Sequence, residues 1–93
     1  MKTVTMEMWE KAGDFEKAAD PGDRVEEDVV QNFLDCVPPA VNCSDLVQVG
    51  EPYSHEFHPQ KERFLPTFTT FKKVDGSWIY CGHCFYGESG GIK

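Results

Sequence analysis

Four cysteines and three histidines are the side chains of this 93-residue sequence best suited to chemistry. The densest group is Cys81-Gly82-His83-Cys84. Two thiols at that spacing suit a dithiol redox pair or one half of a zinc site. A redox pair needs its first sulfur at a helix N-terminus, where the dipole lowers the thiol pKa. Here the group ends an extended run, and only nine residues (85–93), three of them glycine, follow it. A zinc site would draw on Cys36, Cys43, Cys81 and Cys84, with His55, His58 and His83 in reserve. Cys36 and Cys43 are separated by six residues that include Pro38 and Pro39, which is not a short knuckle. On a continuous strand, positions three apart point to opposite faces, so Cys81 and Cys84 share a metal only if the chain turns at Gly82. The expectation is no cofactor, with free thiols filling small apolar spaces, and zinc is the alternative.

His55 and His58 flank a polar loop and fall on opposite faces of a strand, which reads as exposed loop histidines. His83 reads as a hydrogen-bonded histidine at the edge of the core. No serine or cysteine nucleophile has a base and an orienting group assigned to it by spacing, and Gly90-Gly91 lies in the tail rather than in a phosphate loop.

The elements that must position these groups divide the chain. Residues 1–52 carry 4 basic and 12 acidic side chains, residues 53–93 carry 5 and 4, and the whole chain is at −7. That balance argues against a sequence-independent grip on nucleic-acid phosphates. Glu7, Glu10 and Asp14, and Glu26, Glu27, Asp28 and Asp35, read first as solvated helix faces. Thr5 can cap a short helix carrying Met8, Trp9, Ala12 and Phe15, although Val4, Met6 and Met8 equally suit a strand. Asp23 and Glu26, after Pro21-Gly22, have the spacing of a capping box. Val25, Val29, Phe33 and Val30, Leu34, Val37 then form one apolar face, predicting a helix over 24–37 that Pro38-Pro39 ends.

From Leu46 the pattern turns to strand, running past Gly50 and Pro52 to Phe57. A polar loop precedes a Phe- and Thr-rich strand to Val74. Asp75-Gly76 is a hairpin turn that returns the chain through Phe85. This turn sets Phe71 opposite Tyr80, Lys73 opposite Trp78, Thr70 opposite Cys81, and Phe68 opposite His83. Pro52 and Pro66 suit edges or bulges. The predicted fold is α+β, a single domain of residues 1–93. A three-stranded antiparallel β-meander (46–86) packs against one main amphipathic helix (24–37), with an N-terminal segment (1–22) forming a short helix or strand and a flexible tail (87–93).

The tetrapeptide Cys81-Gly82-His83-Cys84 matches the active site of the disulfide isomerase branch of the thioredoxin fold. That fold needs a long helix and further strands downstream, which nine residues do not supply. A broader likeness covers about residues 20–87. The segments Pro38-Pro39-Ala40, Gln48-Val49-Gly50-Glu51-Pro52-Tyr53-Ser54-His55, Thr67-Phe68-Thr69-Thr70-Phe71 and Trp78-Ile79-Tyr80-Cys81-Gly82-His83-Cys84-Phe85 carry it. Together they resemble the uncharacterised small proteins of conjugative transposons and related mobile elements of gut Firmicutes. The resemblance implies a bacterial, cytoplasmic protein and brings no catalytic residues with it.

The N-terminus lacks the apolar run of a secretory signal, and no window approaches a membrane span, so a cytoplasmic protein without membrane association is expected. Aromatic density favours a non-enzymatic module that binds a protein partner and makes no direct contact with nucleic acid. Trp78, Tyr80 and Phe71 share one sheet face, and Phe68, Ile79 and Phe85 the other. One helix cannot cover both, so Trp78, Tyr80 and Phe71 are the expected docking residues. The alternatives are an acidic decoy of a DNA-binding defence protein and a small zinc-stabilised structural module.

Overall fold

In a computed structural model, which describes residues 2–90, Asp75 and Gly76 both take positive φ (50° and 80°). That geometry matches the right-handed twist of the strands it joins, β6 (Arg63–Val74) and β7 (Ser77–Phe85). Phe71 pairs with Tyr80 and Lys73 with Trp78, as the turn predicts. Beyond Tyr80 the register slips by one residue. Thr70 pairs with Gly82 rather than Cys81, and Phe68 with Cys84 rather than His83. Gly82 sits at φ 80°, the left-handed region open to glycine, so the strand carries an extra residue there as a bulge. His83 consequently falls opposite Thr69, and Phe85 opposite Thr67, which takes Phe85 off the face it was expected to share with Phe68 and Ile79.

The meander is the centre of a larger sheet. Among the described residues seven strands run in the order β1-β2-β7-β6-β4-β3, with β5 pairing β6. The expected three-stranded sheet is thus too small, while the α+β class holds. The added strands β1 (Thr3–Val4), β2 (Arg24–Val25) and β3 (Val41–Asn42) have two residues each, too few to show alternation. β4 (Leu46–Gln48) and β5 (Ser54–His58) run along the same strand, β6, as the two halves of one interrupted edge. Residues 49–53 make the interruption. A Cβ on Gly50 would overlap the Pro38 carbonyl oxygen, so only glycine lets the two backbones meet there.

Three helices lie before the meander. Thr5 caps α1 (Met6–Ala12), its hydroxyl accepting from Met8 N–H at 3.2 Å. Asp14 caps α2 (Phe15–Ala18). The main helix, α3, spans Glu27–Cys36 rather than 24–37. Its predicted first turn is lost because Arg24 and Val25 pair with Ile79 and Trp78. The expected capping box does not form either. Asp23 turns its carboxylate to the backbone N–H groups of Asp20 and Lys2, at 2.9 and 3.3 Å. At the other end Val37 is extended (φ −134°, ψ 128°), the geometry that a following proline requires.

The helices close one face of the sheet over an aromatic core. Phe15 stands at its centre, with ring centroids 4.8 Å from Tyr80, 5.2 Å from Phe71 and 5.6 Å from Phe33. Val4, Val25, Val29, Val30 and Val47 complete it. The three rings expected to dock a partner are inside this core: Phe71 is 0%, Tyr80 2% and Trp78 8% exposed. One helix would have left them bare, but three helices cover them.

Candidate functional site

The other face of the sheet is closed by the chain's own end. After Phe85 the backbone turns at Gly87 and Glu88 N–H bonds Phe85 C=O at 3.0 Å. Gln48, fully buried on β4, grips this turn with its side chain. Its two Nε2 hydrogens are shared among Phe85 C=O (3.0 Å), Glu88 C=O (3.2 Å) and Thr70 Oγ1 (3.1 Å), and its Oε1 accepts from Gly87 N–H (2.8 Å). A buried amide costs free energy unless bonded, and this one has partners for both ends. Gly87 and Glu88 of the expected flexible tail are therefore tied to the sheet, while 91–93 lie outside the described residues.

The cysteines do not gather. Cys36 and Cys43 are exposed, whereas Cys81 and Cys84 are buried in β7. The Gly82 bulge does bring the latter pair together, with Cys84 Sγ 3.6 Å from Cys81 C=O. Burial pushes the Cys81 thiol up to about 11 and the Cys84 thiol also upward, the reverse of a reactive thiolate. Among the described residues, no group of three or more His, Cys, Asp or Glu side chains is arranged to hold a metal ion.

Each histidine has a different fate. His55 is exposed, as expected. His83 is bonded at Nε2 to Glu16 Oε1 at 2.9 Å, and Thr69 Oγ1 donates to the same oxygen at 3.1 Å. Tyr53 stacks flat on the His83 ring, with centroids 3.6 Å apart and planes 2° apart. Asp14, beside Glu16, accepts the Glu16 backbone N–H at 3.1 Å. This carboxylate–histidine pair has the form of a general-base dyad, yet among the described residues no hydroxyl or thiol nucleophile bonds the ring. What the contacts do is fix the four-residue α2 to the sheet, which keeps Phe15 in the core.

His58 departs from the expected exposed loop histidine. It ends β5 and is 7% exposed, its ring centroid 4.7 Å from that of Phe85. It lines a cavity of about 270 Å³ together with Gln60, Lys61, Leu65, Pro66, Phe85, Tyr86 and Glu88. Neither Gln48 nor Glu88 was suggested by a motif. The one sequence signal for Gln48 is an amide placed between two valines of a strand that otherwise reads as apolar.

Outside the cavity the β5–β6 hairpin carries bare rings. Phe57 and Phe64 pair across the two strands in an edge-to-face contact at 5.6 Å, yet are 51% and 68% exposed. Tyr86 is 67% exposed, and Tyr53 is more than half exposed. Among the described residues, β5 pairs only with β6, so the outer edge of Ser54–His58 is open. Glu7, Glu10, Glu26, Glu27, Asp28 and Asp35 are all exposed, with Glu7 3.3 Å from Lys11 one helical turn on. No helix among the described residues is long and apolar enough to cross a membrane. No family model matches the sequence, and no curated protein or solved structure is significantly similar to it.

Proposed function

We propose that this protein is a non-enzymatic binding module that docks an extended strand of a partner protein along β5. The observation that carries this reading is the Phe57–Phe64 pair, two large rings left in solvent on a hairpin whose outer edge has no partner strand among the described residues. Burying an edge-strand phenylalanine recovers hydrophobic free energy while the open backbone groups supply the ladder bonds of strand addition. The docking residues are thus Tyr53, Phe57, Phe64 and Tyr86, in place of Trp78, Tyr80 and Phe71. The resemblance of residues 20–87 to mobile-element proteins is the basis for proposing an accessory role in such an element, in the bacterial cytoplasm.

Partner capture from extracts of the source cells, quantified at several salt concentrations, tests this. The Phe57→Ser/Phe64→Ser variant should weaken capture by at least ~2 kcal/mol, the scale of an interface hot spot, with the fold intact. Charge reversal at Glu7, Glu10 and Asp14 should have little effect, because exposed charges are screened within about 8 Å at physiological salt. Capture that survives the serine substitutions but is lost on charge reversal, with steep salt dependence, would support the acidic decoy instead.

A further inference from the structure

Between the β5–β6 hairpin and the Phe85–Glu88 turn, the 270 Å³ cavity holds polar groups that strand docking does not use. His58 is nine-tenths buried there. Its Nδ1 accepts a hydrogen bond from Lys61 N–H at 3.3 Å, so the proton of the neutral ring sits on Nε2. Nε2 is 3.8 Å from Glu88 Oε1, beyond hydrogen-bonding distance. A donor and an acceptor therefore stand side by side at the cavity without a hydrogen bond between them, the His58 side chain 9% and the Glu88 side chain 56% exposed. Glu88 is held in that place through its backbone, by Gln48 at the carbonyl and by Phe85 at the N–H. Leu65, Pro66, Phe85 and Tyr86 supply apolar lining.

We propose that this cavity binds a small planar ligand through a carboxamide group. The amide oxygen accepts from His58 Nε2–H, its NH₂ donates to Glu88, and the ligand's ring lies against the apolar residues. A carboxamide carries an acceptor and a donor on neighbouring atoms of one plane, which is the complement of this pair. A carboxylate offers Glu88 no donor and meets it with like charge, on a chain already at −7. An amidinium offers His58 no acceptor. The cavity is slightly smaller than the roughly 300 Å³ at which drug-sized sites begin, so the ligand is of single-ring size.

Titration of the full chain with benzamide, benzoate and benzamidine, followed by NMR, tests the proposal. Benzamide should give saturable shifts at the His58 ring and at the backbone amides of Phe85–Glu88. It should bind at least about fivefold more tightly than either comparator, the worth of one hydrogen bond. His58→Phe, which removes the Nε2 donor, should abolish the shifts. The Phe57→Ser/Phe64→Ser variant should bind benzamide as the unaltered chain does, so the two proposals fail separately. Benzamide giving no saturable shift, benzoate binding as tightly through Lys61, benzamidine binding as tightly, or His58→Phe binding unchanged would each overturn the assignment. Because the comparison among probes uses the unaltered chain, it stands even if His58→Phe does not fold. A further arm uses N-acetylglutamine N-methylamide. This probe has the carboxamide without a ring and should bind more weakly than benzamide; tighter binding would overturn the single-ring assignment.

Discussion

Two sets of aromatic rings occupy this small sheet, and they do opposite things. Phe15, Phe71, Tyr80 and Trp78 are buried in the helix-covered core, where Phe15 meets Phe71 and Tyr80 edge-on. Phe57, Phe64 and Tyr86 stand in solvent, and the interior beneath that half of the molecule is held by polar side chains, Gln48 and His58 among them. Rings alone therefore mark neither core nor docking surface. What decides is whether another element of the chain lies over them. The helices spend their apolar residues on one face, and the other is closed by a four-residue turn that cannot reach the hairpin's outward rings.

That contrast sets the sizes of the expected mutational effects. Phe71→Ala should cost about 3–5 kcal/mol in chemical denaturation, since it empties the core centre, whereas Phe64→Ala should change stability by less than about 0.5 kcal/mol. Equal losses from the two would erase the distinction between the ring sets. Gln48→Ala comes next. It leaves Gly87 N–H without its partner and frees two carbonyls, so a loss of about 1–3 kcal/mol should accompany faster amide exchange at Gly87.

An acid limb sharpens the helix-covered side. Hydrogen bonding from Asp20 N–H, with a second bond from Lys2 N–H, holds the Asp23 carboxyl below its ordinary 3.8 despite burial. Its contribution is fully present above that ordinary value and is lost as the pH falls through the lower folded value. Asp23→Asn should flatten the stability curve in that range and leave the neutral region parallel. Unfolding curves that stay equally steep would remove Asp23 from the account.

The smallest expected effect concerns thiols. At pH 8, Cys36 and Cys43 should alkylate readily while Cys81 and Cys84 wait for unfolding, a difference that mass spectrometry resolves. Four equal rates would mean that β7 opens freely.

Local rules were read correctly where one short segment decides. The Asp75-Gly76 turn, the stop before Pro38 and the Phe71–Tyr80 register all follow from a few adjacent residues, whereas the segment after Thr5 suits helix and strand alike. Long-range choices were not legible. Arg24-Val25 looks like the start of a helix until Trp78 and Ile79 offer it a ladder. Gly82 signals freedom to turn without saying that the strand continues past it one residue out of step. Alternation places Trp78, Tyr80 and Phe71 on one face, but which face the N-terminal helices cover depends on packing between segments far apart in the chain. The cavity was invisible for the same reason, since His58, Gln48 and Glu88 meet only when the tail folds back.

The claim that the hairpin's exposed rings carry the function is tested most directly by photo-crosslinking. A benzoylphenylalanine placed at Phe64 or, as a control, at Lys11 would be activated in the source cells, and adducts identified by mass. The account predicts one discrete protein adduct from position 64, diminished by Phe57→Ser, and none from position 11. An adduct formed from position 11 alone, or none from position 64, would contradict it.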